Sequence, residues 1–427
     1  MSKNHSDVFT SNFKKHFSKL GKQSKFIPGI SKIPLAVPPY GWEEVSEAVD
    51  SLLKMETTMS KKVMKFEKLF AKYIGVKHAI MVNSGSSANL LALSILSNSF
   101  LGNTKISNNS EIITPAVTWA TTVFPIINIG AKPVFVDVIK EDYTIDPDKI
   151  EDAITKKTKA IFLVHLLGNP CNMKKIKKIA KQYDLFVIED ACEAHGAEFN
   201  KKKVGSFGNL ATFSFFASHH ITTMEGGMIT TNDSQLYEIG KALRSFGWSR
   251  VLKSKKYFEK KFPKIDSRYL FVNTGYNLRP TELQGGFGIH QIKKLDRFVN
   301  IRRNNAKYWN KGLRGYSDFL LLPKFNQTFK HSFLFYPITV VNNKFFTKNE
   351  LVHRLEKSGI ETRPVMAGNF IRQPVAKLIN FKISGTLNNS DYIMNNSFVI
   401  GNHSGITTPQ RKYIINIIKE FMNEKLN

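Results

Sequence analysis

The chain has 427 residues, 42% of them hydrophobic, and carries 62 Lys and Arg against 34 Asp and Glu, a formal net charge of +28. It is long enough for a large core shared between domains. No apolar run approaches the ~20 residues that span a bilayer, and the basic N-terminus has no apolar signal segment behind it, so a cytoplasmic protein with no membrane partner is expected. The basic residues are spread along the chain without a nucleic-acid module. The charge is therefore read as solvated lysine faces rather than nucleic-acid binding, with a field that helps gather an anionic substrate. Cys171 and Cys192 are the only cysteines. Their spacing fits neither a zinc ribbon nor a redox pair, and two thiols are too few for an all-cysteine iron–sulfur cluster.

Residues 1–30 are polar and lysine-rich (Lys14, Lys15, Lys19, Lys22, Lys25). They predict a loosely ordered basic arm with one amphipathic turn. Pro34, Pro38 and Pro39 punctuate the entry to the body of the chain, and amphipathic spacing predicts helices over 43–53 and 62–74. Short apolar runs at 78–82, 111–114, 133–136, 160–165, 185–189, 211–216 and 228–230 read as strands, separated by helical stretches such as 88–97. This alternation predicts an α/β fold: a mostly parallel central sheet flanked by helices, occupying a large domain over 31–300. A long helix over 284–309 leads into a smaller α+β domain, 301–427, with a strand at 333–341 and helices at 348–358 and 410–424.

Four motifs carry candidate chemistry. Asn83-Ser84-Gly85-Ser86-Ser87-Ala88 sets small hydroxyl residues between a strand and a helix. It either cradles a phosphate at Gly85 and Ser86 or is an ordinary helix cap. In Thr114-Pro115-Ala116-Val117-Thr118-Trp119-Ala120-Thr121, Trp119 either lies over a flat heteroaromatic ring or packs in the core. In Val187-Ile188-Glu189-Asp190-Ala191-Cys192-Glu193-Ala194-His195-Gly196, Asp190 ends an apolar strand, where open α/β sheets place ligands. It either holds a pyridine nitrogen protonated, making the ring an electron sink, or caps a helix; Glu193 is in reach of a ring hydroxyl. Last comes Ser214-Phe215-Phe216-Ala217-Ser218-His219-His220-Ile221-Thr222-Thr223-Met224-Glu225-Gly226-Gly227. Ser214 offers a second phosphate hydroxyl. His219 and His220 have no companions at zinc spacing, so no metal is expected, and His220 reads equally as a structural histidine.

Together and in this order the motifs resemble the DegT/DnrJ/EryC1/StrS sugar aminotransferases, from about residue 34 to the C-terminus. The resemblance implies a fold-type-I transferase dependent on pyridoxal 5′-phosphate or its pyridoxamine form. In that family the Ser-Phe to Gly-Gly loop carries a Schiff-base lysine; here His219 stands in its place, and imidazole forms no imine. His165-Leu166-Leu167-Gly168-Asn169-Pro170 and Gly275-Tyr276-Asn277-Leu278-Arg279 support the match. The family's asparagine in the second motif reaches the neighbouring subunit's phosphate, so Asn277 implies a homodimer with shared active sites.

His219-His220-Ile221-Thr222, the stretch 367–374 and Ile400-Gly401-Asn402-His403 are similar to the 3-dehydratases of nucleotide-linked 4-keto-6-deoxyhexoses. The cysteine count favours the branch acting on GDP-4-keto-6-deoxy-D-mannose, which uses glutamate and no iron–sulfur cluster. The implied reaction removes the C3 hydroxyl to give a 3,6-dideoxy-4-ketosugar for surface polysaccharide, such as the O-antigen of lipopolysaccharide, with His219 as acid and base and L-glutamate restoring the cofactor. Arg244, Arg250, Arg279, Arg363 and His403, together with His220, are the candidate substrate contacts; each arginine reads either as an anion ligand or as a structural ion pair. Arg279-Pro280 departs from the branch's Lys-Ala. A nucleotide-sugar aminotransferase and an inactive cofactor-fold binding protein are the alternatives.

Overall fold

A computed structural model describes residues 3–20, 26–341 and 344–426. Its centre is an eight-stranded sheet in the order His78–Val82, Gly227–Thr231, Leu210–Ser214, Phe186–Asp190, Thr158–Val164, Glu111–Pro115, Lys132–Val136 and Lys382–Ile383. Gly227–Thr231 runs antiparallel to both of its neighbours, and every other pairing is parallel. Apart from the short edge strand Lys382–Ile383, the parallel strands are buried along almost their whole length. That is why they read as continuous apolar runs rather than alternating ones.

Helices cover both faces. Gly85–Leu96 and Ser234–Arg244 pack a core of Ile80, Leu91, Ile95, Ile229 and Ile239 on one side, and Met173–Gln182 packs Ile176 and Ile179 against Ile161 and Val187 on the other. The helix predicted over 88–97 begins three residues earlier. Ser84 caps it, its Oγ accepting from Ser87 N at 3.1 Å, so the small-residue motif forms the cap and first turn. The long helix, Glu282–Leu313, starts at a reciprocal cap of Thr281 and Gln284. It runs from the large sheet to a second, antiparallel sheet of Leu320–Leu321, Phe335–Val340, Ser397–Gly401 and Thr362–Pro364. Trp309 is fully buried there with Tyr336 and Phe346; truncating such a side chain costs about 3–5 kcal/mol. The two-residue strand Lys382–Ile383 returns from this C-terminal part to the edge of the large sheet, where Lys382 pairs with Glu111.

The N-terminal stretch differs from expectation. Instead of a loose arm there is a helix, Lys3–Leu20, packed on the helix Trp42–Leu53. Phe9, Phe13 and Phe17 recur at every fourth position, which gives the segment an apolar stripe, and Lys14 Nζ lies 4.4 Å from the Trp42 ring centre. Lys22 and Lys25 lie outside the described residues.

Candidate active site

A cavity of about 480 Å³ opens at the carboxyl ends of Phe186–Asp190 and Leu210–Ser214, beside the start of helix Gly85–Leu96. This is where doubly wound sheets place ligands. Leu334, Phe335, Arg363 and Val399 close it from the second sheet.

Asp190 is the most heavily anchored group. It is 5% exposed. Its Oδ2 accepts from Asn89 Nδ2 at 2.9 Å and Thr122 Oγ1 at 2.8 Å, and its Oδ1 accepts from Cys192 N at 3.1 Å. Asn89 is itself fixed: it donates to Thr121 O and accepts from Thr212 Oγ1. One lone pair of Oδ1 is left for a ligand. The preceding residue, Glu189, points away from the cavity and is fully buried, accepting from Gly205, Phe207 and Gly208 N and from His165 Nε2. Burial would raise its pKa, but the histidine and the backbone N–H groups hold it below the ordinary range. Glu193 behaves in the opposite way: burial, reinforced by the Asp190 charge, pushes its pKa up to about 8 despite the bond from Leu167 N at 2.6 Å. At neutral pH it is a proton donor.

The helix start presses against Ser214 so closely that a Cβ on Gly85 would sit 2.5 Å from the Ser214 Cβ. The first-turn N–H groups, which have no acceptor within the helix, thus lie beside the Ser214 hydroxyl. Trp119, the residue before helix Ala120–Asn128, leaves 55% of its surface open at the cavity. An indole so placed offers its face to a flat ring.

His219 sits on a loop closed at both ends. Phe215 N donates to Gly226 O, Thr223 N to Phe215 O, and Thr222 N to Gln291 Oε1. The imidazole lines the cavity, with Nδ1 buried and unpaired. Burial, then the Arg302 guanidinium, push its pKa down to about 4, so it is a neutral base at pH 7. No lysine lines the cavity among the described residues.

The cavity therefore unites Gly85, Ser86, Trp119, Asp190, Glu193, Ser214, His219 and Arg363. The other six candidates stand elsewhere. Arg244 is buried, bonded to Glu67 at 2.6 Å and Met81 O at 2.7 Å. His220 Nε2 donates to Ser332 O, and His403 Nε2 to Pro34 O. Arg250 stacks on Trp248, and Arg279 lies over Phe246 while donating to Asn277. Asn89, Thr122, Phe216 and Glu225 also line the cavity and were not singled out from sequence. Asn89 comes one helical turn after Gly85, and Thr122 three residues after Trp119. Helical period alone would have brought both to the same end as the residue before them.

The match to known proteins agrees with this geometry. The DegT/DnrJ/EryC1/StrS aminotransferase family model matches residues 40–419, and the chain belongs to that family. It is 38% identical over 390 residues to a GDP-4-keto-6-deoxy-D-mannose 3-dehydratase of Yersinia pseudotuberculosis, covering 91% of this chain and 98% of that one. Its structure is similar to that of the E. coli GDP-4-keto-6-deoxy-D-mannose-3-dehydratase with bound hydrated PLP (TM-score 0.85, 36% identity, 91% and 99% covered). It is also similar to a GDP-4-keto-6-deoxymannose-3-dehydratase with a trapped PLP-glutamate geminal diamine (TM-score 0.83, 36% identity, 90% and 99% covered).

Proposed function

We propose that this chain is a pyridoxal/pyridoxamine 5′-phosphate-dependent 3-dehydratase of a nucleotide-linked 4-keto-6-deoxyhexose, using L-glutamate to restore the cofactor. One observation carries the assignment: a neutral, partly buried imidazole faces a cavity with a fixed carboxylate and, among the described residues, no lysine. The residues present fit the cofactor. Gly85, Ser86 and Ser214 would take its phosphate, Asp190 its ring nitrogen through the spare lone pair, protonated Glu193 its ring oxygen, and Trp119 its face. When bound in its amine form, the cofactor supplies the amino group that takes up the 4-ketone and a ring that accepts electrons.

The chain's own work is then positional and acid–base. Asp190 keeps a negative charge against the ring nitrogen. His219 removes a proton and, as imidazolium, delivers it to the departing O3 hydroxyl; an ordinary imidazole pKa near ~6.5 serves both directions, and the value near 4 in the cavity keeps the resting ring unprotonated and makes its imidazolium the readier acid. Arg363 at the rim is free to meet a diphosphate or a glutamate carboxylate. Arg250, Arg279 and Asn277, grouped outside this chain's cavity, are assigned to a second subunit's site in a homodimer.

Purified protein with glutamate and GDP-4-keto-6-deoxy-D-mannose should yield a sugar that has lost the C3 oxygen, with ammonia and 2-oxoglutarate, by mass spectrometry. Gain of an amine without loss of that oxygen would make the chain an aminotransferase instead.

A further inference from the structure

His195 lies five residues beyond Asp190 and is not among the residues lining the cavity. It is fully buried, and neither ring nitrogen has a hydrogen-bond partner among the described residues. Phe70, Phe213 and Phe215 surround it at 5.3–6.3 Å between ring centres. Two further imidazoles lie close to it, His219 at 6.4 Å and His220 at 5.6 Å between ring centres. Each of these also has a buried, unpaired Nδ1.

If the four orphan nitrogens satisfy one another, the chain of donors runs in one direction only. His220 gives its Nε2 proton to the Ser332 carbonyl at 3.1 Å, so its Nδ1 is an acceptor. His195 is kept neutral by burial and by the charge of Arg302, and so has one donor and one acceptor. Its donor is required by His220, which leaves its acceptor for His219 Nδ1–H. Directly bonded imidazoles have centres roughly 5 Å apart. The His195–His220 centres, 5.6 Å apart, lie beyond that distance and the His195–His219 centres, 6.4 Å apart, further beyond it, so a small ring shift would close the first link and a bridging water or a larger shift the second.

We propose that His195 is a positioning residue: with His220 and the Ser332 carbonyl it holds His219 as the Nδ1–H tautomer, leaving Nε2 bare toward the cavity. This rests on the reading of His219 as the base, because a bare Nε2 is the form that takes up a proton.

The test is the nitrogen NMR of histidine-labelled protein without cofactor, which reads the tautomer whatever the reaction proves to be. Wild type should show His219 protonated at Nδ1 and bare at Nε2. His195→Phe, which suits the apolar neighbours, should keep or raise the melting temperature, shift His219 toward the Nε2–H form, and lower kcat by about 10–100-fold at unchanged KM, the scale on which outer partners of working histidines act. A wild-type tautomer and rate in His195→Phe overturn the proposal and leave His195 as packing. Should that variant not fold, His220→Phe removes the acceptor one link further on and must move the tautomer in the same way; an unmoved tautomer there overturns it equally. If wild type holds the expected tautomer but makes no dehydrated sugar, the proposed function fails and the histidine chain stands.

Discussion

Two groups in the same cavity are built by opposite rules. Asp190 receives three hydrogen bonds, one of them from an amide that is locked in turn, whereas the His219 ring has an unpaired Nδ1 and a pKa driven down by burial and by Arg302. A carboxylate with three donors is held in place. An imidazole without a charged partner stays neutral and ready to gain a proton. The difference separates a fixed charge from a proton carrier, and it can be broken from either side.

The largest effect belongs to the carrier. His219→Asn keeps a polar side chain of smaller size but no proton acceptor of comparable basicity. Dehydration should fall by about 10²–10⁴-fold, the contribution of a positioned acid–base, when single-turnover product is followed by mass spectrometry. His219→Lys should also lose dehydration while gaining the capacity for a covalent imine with the cofactor. Native rates in both variants would remove His219 from the chemistry.

The fixed charge comes next. Asp190→Asn puts an amide N–H₂ opposite either the Cys192 N–H or the donors Asn89 and Thr122. A buried donor then faces a donor at a cost of about 1–3 kcal/mol. Cofactor affinity, read by absorbance titration, should fall with it, and so should the melting temperature. Thr122→Val removes one of the three bonds and should lose about 1 kcal/mol by the same titration.

The sequence made Asp190 easier to find than its supports. A carboxylate at the end of an apolar run is visible without a structure, and so is a histidine between Ser-Phe and Gly-Gly. Asn89 and Thr122 carry no such mark: each is a small polar residue inside a helix, and only the packing of Gly85–Leu96 and Ala120–Asn128 beside the strand end turns both onto one oxygen. Arg244 illustrates the reverse failure. It stands near the loop that suggested anion binding, yet it is held by Glu67, a carboxylate 177 residues away in sequence. No local pattern encodes such a partner. The large sheet was legible because its strands are buried on both faces; the short return strand Lys382–Ile383 was not, being two exposed residues long.

A smaller effect is expected where the helix start meets the strand end. In Gly85→Ala the new methyl meets the Ser214 Cβ at 2.5 Å and its Oγ at 2.8 Å. One of the two must move, with a strain of about 1–3 kcal/mol. The displacement lands on the two groups assigned to the phosphate, so cofactor affinity should drop while kcat at saturating cofactor stays near wild type. Adding Ser214→Gly to the variant should relieve the clash and restore stability but not the lost hydroxyl. Recovery of full affinity in the double variant would mean that Ser214 does not hold the phosphate.

The last contrast is in stability against pH, and it distinguishes the two kinds of group by sign. His219 and His403 are pushed down to about 4, His331 to about 3, and His195 and His220 well below 6.5, each chiefly by burial. As pH falls through about 6.5 the unfolded chain takes up protons that the buried rings of the folded one still refuse, so these five histidines destabilise the fold progressively below that pH. Glu193 does the reverse. Folded, it keeps its proton up to about 8 against an ordinary 4.5, so it favours the folded state at low pH and loses that contribution as pH rises from 4.5 to 8. In the shared window five groups oppose one, and the melting temperature should climb from pH 5 to pH 6.5. Above that only Glu193, of these six, still titrates toward its folded value, and a shallow decline toward pH 8 should follow. Glu193→Gln should erase the decline and leave the climb; His219→Asn should reduce the climb and leave the decline. A climb of wild-type steepness in His219→Asn would mean that its imidazole takes up a proton as readily in the folded protein as in the unfolded chain, and the contrast between a fixed charge and a neutral carrier would not hold.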